Sequence, residues 1–285
     1  MTQKTAHRPF ALVLSGGGVR GLAHAGVLQG LAACGWHPSA IVGVSMGAIV
    51  AATYALNADW YRALVNMDTR DFPEPPVASS SDLRERIRAL LASERALREM
   101  LLGWGVGSRS LKQGQALLAS LTLGRKLEEG RIPVAVVATD LRTGRRMILR
   151  EGRAAEMVYA SAALPGILPP LRYQDCLLSD GTYVDNAPVD VARDFGVERV
   201  IAVDTTQINN HLVIRNGLQA MMRAMEICHH SHSQLRFKKA DFVLRPPYPF
   251  AVDALDFRYK RLCTAAGLRA VRRDKETLRK ILAAD

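Results

Sequence analysis

A chain of 285 residues with 48% hydrophobic and 23% charged residues can close one large α/β core, or at most two small ones, and is not the composition of a disordered or fibrous protein. Its four cysteines, Cys34, Cys176, Cys228 and Cys263, lie far apart with no Cys-x-x-Cys pair, which argues against a disulfide framework and for a reducing compartment, the cytoplasm by default. A formal net charge of +11 points toward anionic surroundings, yet no zinc-finger, helix-turn-helix or aromatic RNA-binding motif accompanies it, so nucleic acid is not the expected partner.

At the N-terminus Lys4 and Arg8 precede the apolar run Phe10–Leu14 in the manner of a signal peptide, but the run is short. Cleavage at Ala23-His24-Ala25 would also destroy the turn that follows. Phe10–Leu14 reads instead as a buried strand ending in Ser15-Gly16-Gly17-Gly18-Val19-Arg20-Gly21, which opens a helix. The spacing Gly16-x-Gly18-x-x-Gly21 also matches a dinucleotide fingerprint, which needs an acidic residue about 20 positions later. The first Asp or Glu of the chain is Asp59, and the lysine and hydroxyl of a P-loop are missing as well. No nucleotide or nicotinamide cofactor is expected. The turn reads as an anion site at a helix N-terminus, suited to a charge that develops during reaction. His24, in the following helix, reads as a packed or capped side chain.

A second apolar run, Ala40–Val44, ends in Gly43-Val44-Ser45-Met46-Gly47, the pattern of a nucleophile elbow that pushes the Ser45 hydroxyl out of the sheet. Gly43 and Gly47 flank the serine because a Cβ at either place would crowd the bend. If both runs are neighbouring parallel strands joined by a right-handed crossover, their carboxyl ends lie roughly 5 Å apart and the glycine amides face the serine. Residues 21–58 carry no Asp, Glu, Lys or Arg, but Pro38 and interspersed small or polar residues break any membrane span. A parallel sheet covered on both faces accounts for the stretch.

Asp71-Phe72-Pro73-Glu74-Pro75-Pro76 and Ser79-Ser80-Ser81 mark a break, after which Asp82 with Glu85 starts a helix. Leu83, Ile87, Leu90, Leu91, Leu97, Met100 and Leu101 give it an apolar stripe. This helical insertion, at about 71–110, is either simple packing or a lid over a pocket hinged at Gly103, Gly105 and Gly107. Pro133–Ala138, Val200–Asp204 and Phe242–Leu244 read as further buried strands, and helical signals over Ala154–Ser161, Val189–Phe195 and Ile214–Phe237 alternate with them. The fold class is therefore α/β, a mostly parallel central sheet with helices on both faces. Leu164–Pro170 cannot be helical and either lines a pocket or connects rigidly beneath the next strand.

That strand, Cys176–Ser179, delivers Asp180 to a turn at Gly181. Serine needs a base to become nucleophilic, and a carboxylate within hydrogen-bond reach suffices. Asp180 suits the task; its rivals Asp140 and Asp185 read as loop-holding carboxylates. His211, His229, His230 and His232 follow Asp180 in the chain order of a Ser-Asp-His triad, but none sits at a strand-end turn and no His-Gly-Gly-Gly block precedes the serine. The cluster His229-His230-Ser231-His232, with Glu226 and Cys228, raises a metal site, against the plainer reading of a solvated helix end. No metal is expected.

Four blocks in order, Gly16-Gly17-Gly18-Val19-Arg20-Gly21, Gly43-Val44-Ser45-Met46-Gly47, Ala160-Ser161-Ala162-Ala163-Leu164-Pro165-Gly166 and Ser179-Asp180-Gly181, resemble those of the patatin-like phospholipases. The resemblance runs from about Phe10 to Asp204. It implies a patatin-like fold and a Ser45–Asp180 dyad without histidine. It further implies an oxyanion hole from the Gly17 and Gly18 amides, with Gly16 and Arg20 shaping the turn. Thr182 departs from the family's usual Gly or Ala and could shift the Asp180 turn. The implied activity is lipid acyl hydrolysis of phospholipase A or lysophospholipase type without a cofactor; the alternative is a regulatory or lipid-binding member with little turnover. Residues 8–285 read as one such domain ending in a basic helical region at about 256–285, with nine Arg or Lys against four acids. With Arg236, Lys238 and Lys239 this region is either a face drawn to anionic membrane or a solvated basic helix. The expected location is cytoplasmic with peripheral membrane contact.

Overall fold

The computed structural model describes residues 7–69, 110–208 and 213–283. The expected insertion, from the break at Asp71 through the glycines at 103–107, lies outside the described residues.

Among the described residues eight strands form one sheet. In chain order they are β1 (Phe10–Leu14), β2 (Ala40–Val44), β3 (Val134–Asp140), β4 (Arg146–Leu149), β5 (Leu171–Tyr173), β6 (Cys176–Asp180), β7 (Arg199–Val203) and β8 (Phe242–Leu244). β3, β2, β1, β7 and β8 are parallel neighbours in that order, while β4, β5 and β6 add antiparallel pairs beyond β3. The helices are α1 (Ala23–Ala33), α2 (Met46–Leu56), α3 (Trp60–Val65), α4 (Ser110–Leu121), α5 (Ala154–Ala162), α6 (Val189–Arg193), α7 (Gly217–Phe237), α8 (Lys260–Arg273) and α9 (Lys275–Leu282).

The apolar runs form central strands because both faces of the sheet are covered. Phe10, Leu12 and Leu14 point into the larger core, with α1, α2, α5 and α8 above them. Ala11 and Val13 point the other way, toward Val189 and Val191 of α6 and Phe237 at the end of α7. Each large side chain so buried contributes about 1.5–3 kcal/mol, which fixes the register through the alternation of the strand. β4 and β5 were not expected from the sequence, and the reason is visible: they are short and partly exposed, so no continuous apolar run announces them. The helix expected from Ile214 begins at Gly217, where the Asn216 side chain caps it by accepting from the Gln219 amide at 2.9 Å. The basic C-terminal stretch forms α8 and α9, and α8 lies against α1. Gly26 faces the Thr264 carbonyl there and Gly267 the Ala23 carbonyl, so a side chain at either would prevent that approach.

The register of β3 explains what meets at the top of the sheet. Val136 and Val137 pair with Gly43 and Val44 of β2 along one edge and with Leu149 and Ile148 of β4 along the other. Ala138 pairs with Met147 of β4 and with Asp180 of β6, so β6 occupies the edge that β2 has just vacated. β2 runs up this edge and β6 runs down toward it. Their ends, Ser45 and Asp180, therefore abut.

Candidate active site

Ser45 stands between β2 and α2 with φ 53° and ψ −121°, a left-handed conformation that costs a non-glycine residue about 1–3 kcal/mol. Packing enforces it. A Cβ on Gly47 would collide with the Leu14 carbonyl and one on Gly43 with the Gly47 carbonyl, so the glycines let α2 start directly over the ends of β1 and β2. The strain aims the hydroxyl at β6: Ser45 Oγ donates to Asp180 Oδ2 at 2.7 Å. The serine amide is held from the other side, donating to Ser161 Oγ at 3.0 Å, and Ser161 donates onward to the Val137 carbonyl at 2.6 Å.

Asp180 is buried, and loss of hydration raises its carboxyl above the ordinary aspartate value. Hydrogen bonds from Thr182 and Ser45 pull in the opposite direction but do not cancel the burial. The Thr182 amide donates to Asp180 Oδ1 at 2.8 Å, while the Asp180 amide and carbonyl are tied to Ala163 and Thr139. Thr182, the departure from the family pattern, thus holds the carboxylate through its backbone amide.

The glycine turn leaves β1 beside this pair. A Cβ on Gly16 would stand 2.5 Å from Thr182 Oγ1 and 3.1 Å from both Asn186 Oδ1 and the Ser45 Cβ, so the turn meets the serine and the residues that follow the acid through a bare backbone. Three successive carbonyls are each held by a side-chain donor. His24 Nε2 donates to Ser15 O at 2.7 Å, Thr205 Oγ1 to Gly16 O at 3.0 Å, and Arg20 Nε to Gly17 O at 3.3 Å. In a trans peptide the next N–H points opposite to its carbonyl, so these anchors aim the amides of Gly16, Gly17 and Gly18. The Gly16 amide donates to Asn186 Oδ1 at 2.6 Å. The Gly17 and Gly18 amides have no acceptor among the described residues. The Val19 amide is taken by the Ala254 carbonyl at 2.7 Å, which closes the turn.

This arrangement of strands, elbow and turn has named counterparts. The sequence model of the family described as patatin-like phospholipase matches residues 12–193. The chain belongs to the patatin-like phospholipase family. Patatin-like phospholipase domain-containing protein 7 of Rattus norvegicus is 31% identical over 197 residues, 68% of this chain but 13% of that protein. Domain-containing protein 6 of Homo sapiens is 31% identical over 200 residues, with the same two coverages. An uncharacterized NTE family protein of Mycobacterium tuberculosis is 32% identical over 204 residues, 72% of this chain and 31% of that one. The chain therefore spans only a minor part of the length of these relatives. Among solved structures, VipD from Legionella pneumophila superposes with a TM-score of 0.53 at 14% identity, over 95% of this chain and 67% of that one, a likeness of fold.

Within this patatin-like phospholipase chain the other sequence candidates have separate tasks. Asp140 accepts from Thr143 Oγ1 at 2.6 Å and from the Leu177 amide at 3.0 Å, holding the turn between β3 and β4. Asp185 joins Arg146, Asp190 and Arg236 in a charge cluster, with Arg146 Nη1 at 2.5 Å, and its Oδ1 accepts from the Ala187 amide at 3.1 Å. That cluster braces the loop that carries Asn186. The His229 ring stands edge-on to Tyr183 at 4.6 Å, and His230 Nδ1 lies 3.4 Å from Thr206 Oγ1. Among the described residues no group of three or more His, Cys, Asp or Glu is placed to hold a metal ion. His211 lies outside the described residues. Leu164–Pro170 is a loop; its start at Ala163 accepts from the Asp180 amide and from Ser179 Oγ, and Tyr159 holds its Pro169 carbonyl at 2.6 Å. Ser161, Asn186 and Thr205 were not singled out by the sequence. Ser161 lies in the third family block, whose role at the elbow only the contact with the Ser45 amide reveals.

Proposed function

We propose that the chain is a lipid acyl hydrolase of phospholipase A or lysophospholipase type, working through Ser45 and Asp180. The observation that carries this reading is the 2.7 Å hydrogen bond from a serine on a strained elbow to a buried carboxylate. Asp180 takes the Ser45 proton as Oγ attacks the ester carbonyl carbon, and the carbonyl oxygen becomes an oxyanion. The Gly17 and Gly18 amides, aimed by the Thr205 and Arg20 anchors, receive that charge; each such donor is worth about 3 kcal/mol of barrier. The carbon–oxygen bond to the alcohol then breaks, and the leaving oxygen takes the proton from Asp180. Water, deprotonated by the same carboxylate, attacks the acyl-serine, frees the fatty acid and restores Ser45.

We read residues 8–285 as one such domain, and the packing of α8 on α1 supports including the C-terminal region. The four free cysteines support a cytoplasmic setting, with peripheral contact at the membrane. Among the described residues no helix is long and apolar enough to cross a bilayer.

The test is labelling by a fluorophosphonate together with hydrolysis of a monomeric short-chain ester. Ser45→Ala should abolish both, and Asp180→Asn should slow hydrolysis by about 10²- to 10⁴-fold while leaving the fold intact. Folded wild type that neither labels nor hydrolyses would sink this reading in favour of a lipid-binding regulator.

A further inference from the structure

α7 has 21 residues, about 31 Å of helix, and among its described side chains the buried ones lie near its C-terminal end. Ser233 and Phe237 are buried there, and Gln234 donates to Asp204 Oδ2 at 2.9 Å. One turn earlier the helix stands over the loops of the site. His229 meets Tyr183, three residues past Asp180, and His230 approaches Thr206, next to the Thr205 that anchors the glycine turn.

The outward face of the same helix is apolar. Met221, Met225 and Leu235 fall within one arc at helical spacing and are 56%, 44% and 62% exposed. Val213 and Ile214, just before the helix, are 67% and 49% exposed. Exposed Cys228 and His232 lie between Met225 and Leu235 on that arc, and an exposed face carrying large apolar side chains beside a site marks a surface that another phase or molecule covers. The charge around it leans to one sign: residues 213–240 hold five Arg or Lys and a single acid, Glu226, which pairs with Arg223 at 2.7 Å, while Arg236 is engaged by Asp185 and Asp190. Lys238 and Lys239 are exposed at the end of the strip.

We propose that this face of α7, with Val213 and Ile214, seats the protein on an anionic phospholipid surface. The helix lies along the headgroup layer with its methionines in the acyl boundary and its lysines on the phosphates. Charge favours this occupant over a second copy of the chain, because pairing two such faces would bring like charges together. The inference rests on the reading of Ser45 as a lipid acyl hydrolase, for which α7 would bring the catalytic mouth down to its substrate.

The decisive measurement is co-sedimentation of the full chain carrying Ser45→Ala, which removes turnover. The vesicles are phosphatidylcholine alone or equimolar phosphatidylcholine and phosphatidylglycerol. Binding should favour the anionic vesicles. Replacing Met221, Met225 and Leu235 together by serine should weaken it by at least about tenfold, while the same triple change in the Ser45 parent leaves turnover of a monomeric ester unaltered. Lys238→Glu with Lys239→Glu, a surface pair, should reduce binding to the anionic vesicles alone. Undiminished binding by the triple variant, or equal binding to both vesicles, would overturn the proposal. So would a wild-type dimer that the triple variant converts to monomer. Loss of ester turnover in the parent itself would strike the hydrolase reading instead, since vesicle binding is read without it.

Discussion

His24 is completely buried, holds the Ser15 carbonyl through Nε2, and leaves Nδ1 without a partner among the described residues. Burial lowers its pKa from 6.5 to about 4; the bond to Ser15 and the field of Asp204 oppose the shift without reversing it. The unfolded chain therefore takes up a proton near its ordinary value while the folded chain refuses it. The stability at stake is fully present above about pH 6.5 and is lost as pH falls from there to about 4, below which both states are protonated. At 1.36 kcal/mol per unit the loss amounts to about 3 kcal/mol, a large share of the usual net stability of a domain.

The assay is urea unfolding of wild type and His24→Gln at about pH 7.5 and about pH 4.5. Glutamine can reach the Ser15 carbonyl with an amide N–H but does not titrate in this range. The variant should lose about 2–3 kcal/mol less stability than wild type between the two conditions, whatever cost it shows at both. Equal losses in the two proteins would refute the reasoning. The protonation cost of His24 would then be absent, and its neutral form could not be what holds the glycine turn.

Three further outcomes follow from the site. The acid limb of the kcat/KM profile should lie above the ordinary aspartate range, because the proposed base works only when deprotonated and burial raises Asp180; Thr182→Ala, which keeps the amide bond to Asp180 Oδ1 but takes away a side chain that favours the charged carboxylate, should move the limb higher still. An unmoved limb in stopped-rate assays across pH would contradict the role given to Thr182. Gly47→Ala forces a Cβ against the Leu14 carbonyl and should cost about 3 kcal/mol in thermal or urea unfolding. Asn186→Ala leaves the Gly16 amide buried without its acceptor, so kcat should fall by about tenfold to a hundredfold with KM little changed; a rise in KM alone would show that Asn186 does not orient the turn.

How much of this is legible in the sequence depends on whether a residue belongs to a pattern. The buried strands are legible because a sheet covered on both faces demands uninterrupted apolar runs, as in Phe10–Leu14 and Ala40–Val44. Ser45 and the Gly16–Gly18 turn are legible because strain and close approach restrict which residues can stand there. Thr205, Asn186 and Ser161 are not. Each supplies one hydrogen bond from a distant part of the chain, and a single hydroxyl or amide leaves no periodicity to read. β4 and β5 escape for a related reason, since half-exposed strands of three or four residues lack a run.

Asp180 sits between these cases, and the sheet register shows why. Its Asp-Gly turn is visible in the sequence, but its nearness to Ser45 depends on β6 running antiparallel along the edge of β3 where β2 stops. Side chains alternate between the faces of a strand, so a slip of one residue would set Ser179 or Gly181 opposite Ala138 and turn the carboxylate away from the elbow. The Asp180 backbone bonds to Ala163 and Thr139 and the Ser179 bond to Ala163 oppose that slip at the pairing that matters. The loop after Ala163 therefore acts on the proposed chemistry without touching an ester: it holds the register that delivers the carboxylate to the serine.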